Sequence, residues 1–298
     1  MKNRIKKLLY FSKIGRKLGL VKTTVWGIGL RKACDKETLF GDKDRKIVFN
    51  SIPNTEDYWY ADPLLFSDNG KTWLFVEAFN RKERKGEIGV FDIVDGSAKN
   101  FRLLITMPTH MSYPFVFKHE GEYFMIPESG AAGCINLYKA TSFPDKWSLD
   151  KVLLTDDCYR DSTIYKSDGQ LFMLSYKQNG TNSYNMKNYL TLFHLNMEKK
   201  ELSIIDQFFD KDRINRPAGP CFETAGDYYR VSQNCHRLYG ESMYVYKMDP
   251  GKLTIDKSLI MGQLKSRNIS IDGHRDILVT HTYSSAGEYE VVDYRCLV

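Results

Sequence analysis

A repeat of about 50 residues restricts what this 298-residue chain can fold into. YADPLLFSDNGKTWLFVEAF begins near residue 60, SYPFVFKHEGEYFMIPESG near 112, RDSTIYKSDGQLFMLSYKQNG near 160 and RPAGPCFETAGDYYRVSQNCH near 216. A weaker copy, DGHRDILVTHTYSSAGEYEV, begins near 272. Each copy sets two apolar and aromatic runs about a short Gly-bearing turn: DNG at 68–70, HEG at 119–121, SDG at 167–169, AGD at 225–227. Such turns between strand-like runs signal β-hairpins. Each copy continues into a third run: EIGVFDIV, CINLYKAT, YLTLFHLN, SMYVYKMD and EYEVVDYR. A unit this small cannot bury its own apolar face, so the units must pack on one another. A period near 50 with about four strands per unit predicts a β-propeller. Five copies predict five blades over residues 23–298, in an all-β chain. TTVWGIGL at 23–30 is expected to add an outer strand to the last blade, closing the ring and removing its free edges. A β-sandwich of similar hairpins is the rival, and the regular spacing favours the propeller.

Charge separates a short arm from this body. Of the 43 Lys and Arg, eight lie in residues 1–22, which hold no acid, so the other 35 face all 37 Asp and Glu. In the arm Ile5, Leu8, Leu9, Ile14 and Leu18 fall near helical spacing. A basic amphipathic helix suits an anionic membrane surface; a packed or irregular extension is the plainer reading. The body offers no matching basic patch, which argues against nucleic acid as a partner. No apolar run reaches the roughly 18 residues that a spanning helix requires. The six cysteines (34, 134, 158, 221, 235, 296) are scattered without zinc-ligand spacing, and no secretory signal precedes them. They are expected to be free thiols, and the expected location is cytoplasmic, peripheral on the inner face of the membrane.

In a propeller the first strand of each blade lines the central channel and opens at a funnel. The openings here are Asp62, Tyr113, Asp161, Arg216 and either Asp272 or His274. The ends of the second strands are expected nearer the blade margins or the opposite rim. Charges at the entrances of apolar strands must be paired or functional. Internal pairing of the acids with Arg216 is the structural alternative. Arg216 is also a planar, permanently charged fork suited to carboxylates and phosphates. Glu128, at the end of the second blade's hairpin, aligns with Ala78 in the first blade and Lys177 in the third, so blade geometry alone does not require it. A salt bridge to Arg216 or Arg160 is its structural alternative. QNCHRLYG (233–240) brings Gln233, Asn234, His236 and Tyr239, residue types that bind sugar hydroxyls or, for His236, move protons. His281 and Tyr283 sit at the matching place in the fifth copy, and His110 immediately precedes SYP.

The openings ADP (61–63) and RDS (160–162) resemble those of the five-bladed glycoside hydrolases of families 43 and 32. That resemblance implies a catalytic carboxylate at Asp62 and a hydroxyl-binding Arg160–Asp161 pair. YADPLLF, GEIGV, HMSYPFVF, YFMIPESG, INLYKATSFPDKW, RPAGPCF, SQNCHRLYG and HTYS are together similar to the propeller domain of plant glucosamine inositolphosphorylceramide transferases. They also resemble its stand-alone bacterial relatives, which are associated with surface-polysaccharide assembly. The similarity runs from about 55 to 295 and implies a carbohydrate context. The hydrolases place an acid Glu in a later blade, whereas blade four opens here with NRPAG, and Glu223 lies beyond the first strand, towards the turn.

Three functions follow. The favoured one is glycosyltransferase-like transfer in the funnel, onto a glycan or lipid-linked sugar. Asp62 is then the base, Asp161 and Arg216 bind donor or sugar groups, and Glu128 or His236 handles the second proton. A nucleotide sugar is a candidate donor, with no bound cofactor or metal expected. A glycosidase of the family 43 or 32 type and a non-catalytic glycan-binding or scaffold propeller are the alternatives. GxGxxG, a P-loop, a GxSxG elbow and a DxD pair in a transferase-like setting are all missing.

Overall fold

The computed structural model describes residues 24–33, 46–155, 157–179, 187–253, 255–274 and 277–297. The basic arm, Cys34 and the chain's last residue lie outside these residues. Five sheets form the blades of a propeller, antiparallel throughout except where Ile269–Ile271 pairs parallel with Ile47–Ile52 at the margin of the last. Blade one is Tyr58–Asp68, Lys71–Asn80, Lys85–Val94 and Ser97–Ile105. Blade two is Ser112–His119, Glu122–Glu128, Ile135–Ser142 and Lys146–Leu154. Blade three is Tyr159–Ser167, Gln170–Asn179, Lys187–Asn196 and Glu201–Phe209. In blade four the inner position is shared by Arg216–Pro217 and Phe222–Thr224, followed by Asp227–Asn234, Ser242–Met248 and Ile260–Lys265.

The hairpins follow from their turns. Asn69–Gly70, Glu120–Gly121, Asp168–Gly169 and Ala225–Gly226 each place two successive residues at positive φ, between 48° and 81°. That is the two-residue turn whose twist matches the flanking strands. Hydrophobic clusters then fill the gaps between successive blades. Phe75, Ile88 and Met125 lie between blades one and two, and Phe115, Ile126, Tyr159 and Phe193 between two and three. Tyr165, Leu190 and Met248 lie between three and four. Val231, Met243, Tyr283 and Val292 join four to five, and Ile28, Leu30, Tyr60 and Val76 join five to one. Each fully buried side chain of this kind contributes about 1.5–3 kcal/mol, so the repeat is held together by contacts between units.

The fifth blade departs from the sequence reading in three places. Its inner position is Ile277–Val279 with Tyr283–Ala286, and Tyr289–Leu297 is its second strand rather than its third. Thr24–Lys32 pairs with that strand, from Thr24 opposite Leu297 to Lys32 opposite Tyr289. It therefore stands third, with Ile47–Ile52 outside it. Asp272 and His274 are at the outer margin, where His274 bridges Ile271, so neither opens the blade. The opening is Thr280–Thr282, set by the Asp293 carboxylate, which accepts the His281 and Thr282 backbone N–H groups at 2.8 and 3.0 Å.

Candidate active site

Blades one to three open in the same way. Each inner strand carries one extra residue against its neighbour: Asp62–Pro63 face Val76, Tyr113–Pro114 face Pro127, and Asp161–Ser162 face Ser175. The first residue of each bulge is left-handed, with φ of 46°, 46° and 49°. Such bulges bend the strand and re-aim a side chain, and non-glycine residues held at positive φ concentrate at functional sites. Here they turn Asp62, Tyr113 and Asp161 into the funnel. Pro63 and Pro114 fall where the ladder is already broken, so their missing N–H costs nothing.

Antiparallel pairing brings the ends of the second strands alongside these openings, not to the margins expected from sequence. Glu128 stands opposite Ser112, as Glu77 stands opposite Ala61, Tyr176 opposite Arg160 and Gln233 opposite Arg216. The alignment of Glu128 with Ala78 and Lys177 was one residue out. The position is a feature of the repeat, acidic in two blades.

One charge cluster spans blades two, three and four. The Arg216 guanidinium donates from Nε and Nη2 to the two oxygens of Asp161, and from Nη2 to Glu128 Oε2 at 3.2 Å. Arg160 Nη1 donates to Glu128 Oε1 at 2.7 Å. Gln233 Nε2 donates to Asp161 Oδ2 at 2.6 Å and to the Pro217 carbonyl at 3.0 Å. The Tyr239 ring covers the Arg216 guanidinium, 5.4 Å from its centroid. Burial pushes Asp161 up to about 6, an effect that Arg216 only partly offsets. Tyr113 buttresses the cluster from below: it is fully buried and its hydroxyl lies 2.8 Å from that of Thr163.

A second group joins blades five and one. Thr282 Oγ1 donates to Asp62 Oδ1 at 3.0 Å. His281 Nδ1 lies 2.6 Å from Asp293 Oδ2 and 3.7 Å from Asp62 Oδ1. Burial opposes charge on His281, but Asp293, Asp62 and Asp161 outweigh it and hold the imidazolium to higher pH than usual. Asp62 is pushed up to about 6, by burial first, with His281 and Arg216 opposing and Asp161 and Asp293 adding. The donor atoms of Asp62, His281 and Asp293 lie within 4.8 Å of one another, close enough to hold an ion. When protonated, the imidazole is itself the cation of that set. Trp26 and Tyr239 flank His281, with ring centroids at 4.4 and 5.0 Å, so an aromatic wall stands beside the carboxylates.

The structure thus gathers Asp62, Tyr113, Glu128, Arg160, Asp161, Arg216, Gln233, Tyr239 and His281 at one end of the channel. His110 stands beside blade one, its Nδ1 accepting the Gly86 N–H at 2.9 Å. Asn234 is buried and spends its side chain on Ser242 and the His236 N–H. His236 itself is exposed, bonded to the Asp212 carbonyl, and lines a separate cleft of about 1170 Å³ between blades four and five. Glu223 is exposed. Sequence reasoning missed Glu77, Trp26, Thr282 and Asp293. Counting from the hairpin turn locates Glu77, since it lies six residues after Lys71 as Glu128 lies six after Glu122. Asp293 was hidden by taking its strand as the third of its blade.

Among solved structures, the catalytic domain of a Coprinopsis cinerea GH62 α-L-arabinofuranosidase superposes with a TM-score of 0.56 at 11% identity, covering 90% of this chain and 97% of its own. RS223 β-xylosidase gives 0.54 at 10% identity, covering 81% and 92%. At such identities the likeness is one of fold. In sequence, the chain is 35% identical over 204 residues to glucosamine inositolphosphorylceramide transferase 1 of Oryza sativa subsp. japonica, 65% of this chain and 26% of the relative. The protein of that name from Arabidopsis thaliana is 31% identical over 195 residues, 63% of this chain and 25% of the relative. The chain therefore spans about a quarter of the length of these curated relatives. Residues 50–267 match the family described as glucosamine inositolphosphorylceramide transferase 1, N-terminal, a stretch that covers four blades and the funnel residues from Asp62 to Tyr239. This protein belongs to that family.

Proposed function

We propose that the funnel is a carbohydrate-active centre that transfers a sugar to an acceptor hydroxyl. The observation that carries this is Asp62: a buried carboxylate turned inward by a left-handed bulge, held by Thr282 and poised near pH 6. A general base works best with a pKa near the working pH. Asp62 takes the acceptor proton as the hydroxyl oxygen attacks. Arg216, Asp161 and Gln233 form a rigid polar wall that orients sugar hydroxyls, and Tyr239 with Trp26 supplies the apolar face on which a sugar ring packs. Glu128 accepts from two guanidinium groups, which suits an anchor for Arg160 and Arg216 better than a proton donor.

Family membership supports sugar transfer as the broad activity. The relatives' name points to a glycolipid acceptor, and for this chain a glycan or lipid-linked sugar is proposed, reached through the arm at residues 1–22 on the inner membrane face. Hydrolysis is the weaker reading, because the relatives that share this chain's sequence are named as transferases and the hydrolases share only its fold. A binding module is favoured by one observation, the pairing of Arg160, Glu128, Arg216 and Asp161 among themselves. The test incubates the protein with donors, with and without a lipid-linked acceptor. Acceptor-dependent glycoside formation is expected; release of reducing sugar without acceptor would favour hydrolysis, and binding without turnover would favour the module.

A further inference from the structure

Glu77 is a buried carboxylate of the first blade, beside the funnel. It sits on the second strand of blade one, directly opposite Ala61 and so next to Asp62. Only 6% of the residue is exposed, and its Oε1 is buried with no hydrogen-bond partner among the described residues. The charges that bear on it are Asp62, Glu128, Asp293 and Asp161, all acidic. Burial and these neighbours hold it well above the usual carboxylate range. A carboxyl in such surroundings stays neutral and can donate.

His110 lies beside it, with Nε2 3.6 Å from Glu77 Oε1. The backbone fixes the state of that imidazole. Gly86 N–H donates to Nδ1 at 2.9 Å, so Nδ1 carries the lone pair and the proton of the neutral ring is on Nε2, facing Glu77. Charging the ring would place a proton on Nδ1 and break the Gly86 bond. Burial lowers the His110 pKa as well, against the pull of Asp62 and alongside the push of Arg160. The His110 side chain is 37% exposed while that of Glu77 is 8% exposed.

We propose that Glu77 is the proton donor of this centre, with His110, whose Nε2–H faces its Oε1, as the residue that positions it. The proposal rests on the sugar-transfer reading and names the donor class within it. As the bond from the anomeric carbon to the leaving oxygen breaks, Glu77 gives that oxygen its proton. The acceptor oxygen bonds to the anomeric carbon and its proton goes to Asp62. Glu77 then regains a proton from solvent and Asp62 releases its own, so the cycle is balanced. A sugar phosphate leaves as a stable anion and has little use for a proton, whereas an alkoxide must be protonated. A neutral acid here therefore selects an O-glycoside donor, with an alcohol as leaving group, over a nucleotide sugar.

Infrared difference spectroscopy at neutral pH tests the protonation state without any substrate. Wild type and Asp62→Asn should show a buried carboxylic-acid carbonyl band that Glu77→Gln lacks, and His110→Gln should keep it. Absence of a Glu77-dependent band overturns the proposal. Turnover tests the role, using oligosaccharide glycosides and a glycosyl fluoride, whose departure requires no proton. Glu77→Gln should lose about 10²–10⁴-fold in kcat on the glycosides and stay within a few-fold of wild type on the fluoride. Equal losses on both donors would reduce Glu77 to a structural role. Wild-type turnover of nucleotide sugars that Glu77→Gln leaves unchanged would also overturn it. No wild-type turnover with any donor would refute the sugar-transfer reading, whatever the infrared band shows.

Discussion

Replacing Asp62 by Asn should make the protein more stable and inactive at once, with a stability gain that depends on pH. Asn has the shape of Asp, tolerates the left-handed backbone at φ 46°, and its Oδ1 can still accept from Thr282. What changes is charge. Asp62 titrates near 6 in the fold against an ordinary value of 3.8, so folding holds its proton more tightly than the unfolded chain does. The folded state binds more protons between those two values, and stability therefore falls as pH rises through them. Two units correspond to about 3 kcal/mol lost above pH 7, of which about 2 kcal/mol is lost between pH 4.5 and 8. Asn removes this penalty. Urea unfolding of both proteins should show D62N ahead by about 2–3 kcal/mol at pH 8 and by about 1 kcal/mol at pH 4.5. An equal difference at the two pH values would refute the reasoning, because Asp62 would then carry no excess burial cost.

Other outcomes follow from the same contacts. Arg216→Met leaves Asp161 and Glu128 buried without their shared guanidinium and should cost about 3–5 kcal/mol in denaturant unfolding. Gly219 stands at φ 144°, and a Cβ there would lie 1.8 Å from the Tyr283 carbonyl oxygen. Gly219→Ala should therefore destabilise by more than about 4 kcal/mol or fail to fold, read as lost soluble yield. Tyr239→Ala removes the ring over Arg216 and beside His281 and should weaken glycan binding by about 1–2 kcal/mol in calorimetry, with stability nearly unchanged because Tyr239 is 44% exposed. Deleting residues 1–22 should abolish co-sedimentation with anionic vesicles and leave the unfolding transition in place.

The propeller was legible because its determinants are local. The Asn69–Gly70 and Asp168–Gly169 turns impose hairpins wherever they occur, and their spacing counts the blades. Asp62, Asp161 and Arg216 were legible because charged residues stand at the entrances of apolar strands. What the sequence concealed depends on register. Counting from the hairpin turns aligns Glu128 with Glu77, but what aims the openings beside those acids is the left-handed backbone at Asp62, Tyr113 and Asp161, which no composition announces. The fifth blade was misassigned for a related reason. Its inner strand is broken at Thr280–Thr282 and its third and fourth strands come from residues 24–52, so periodicity alone gave Tyr289–Leu297 the wrong rank and left Asp293 out of the funnel. His236 shares a motif with Gln233 and Tyr239, yet the chain turns at Cys235 and sends it to the other side of that loop.

Asp62 is proposed to take a proton in a sugar-transfer step. Its most direct test is the turnover number of Asp62→Asn beside calorimetric binding of the same glycan. A fall of at least about 10²-fold in turnover is expected, with glycan affinity retained. Turnover undiminished in D62N would contradict it.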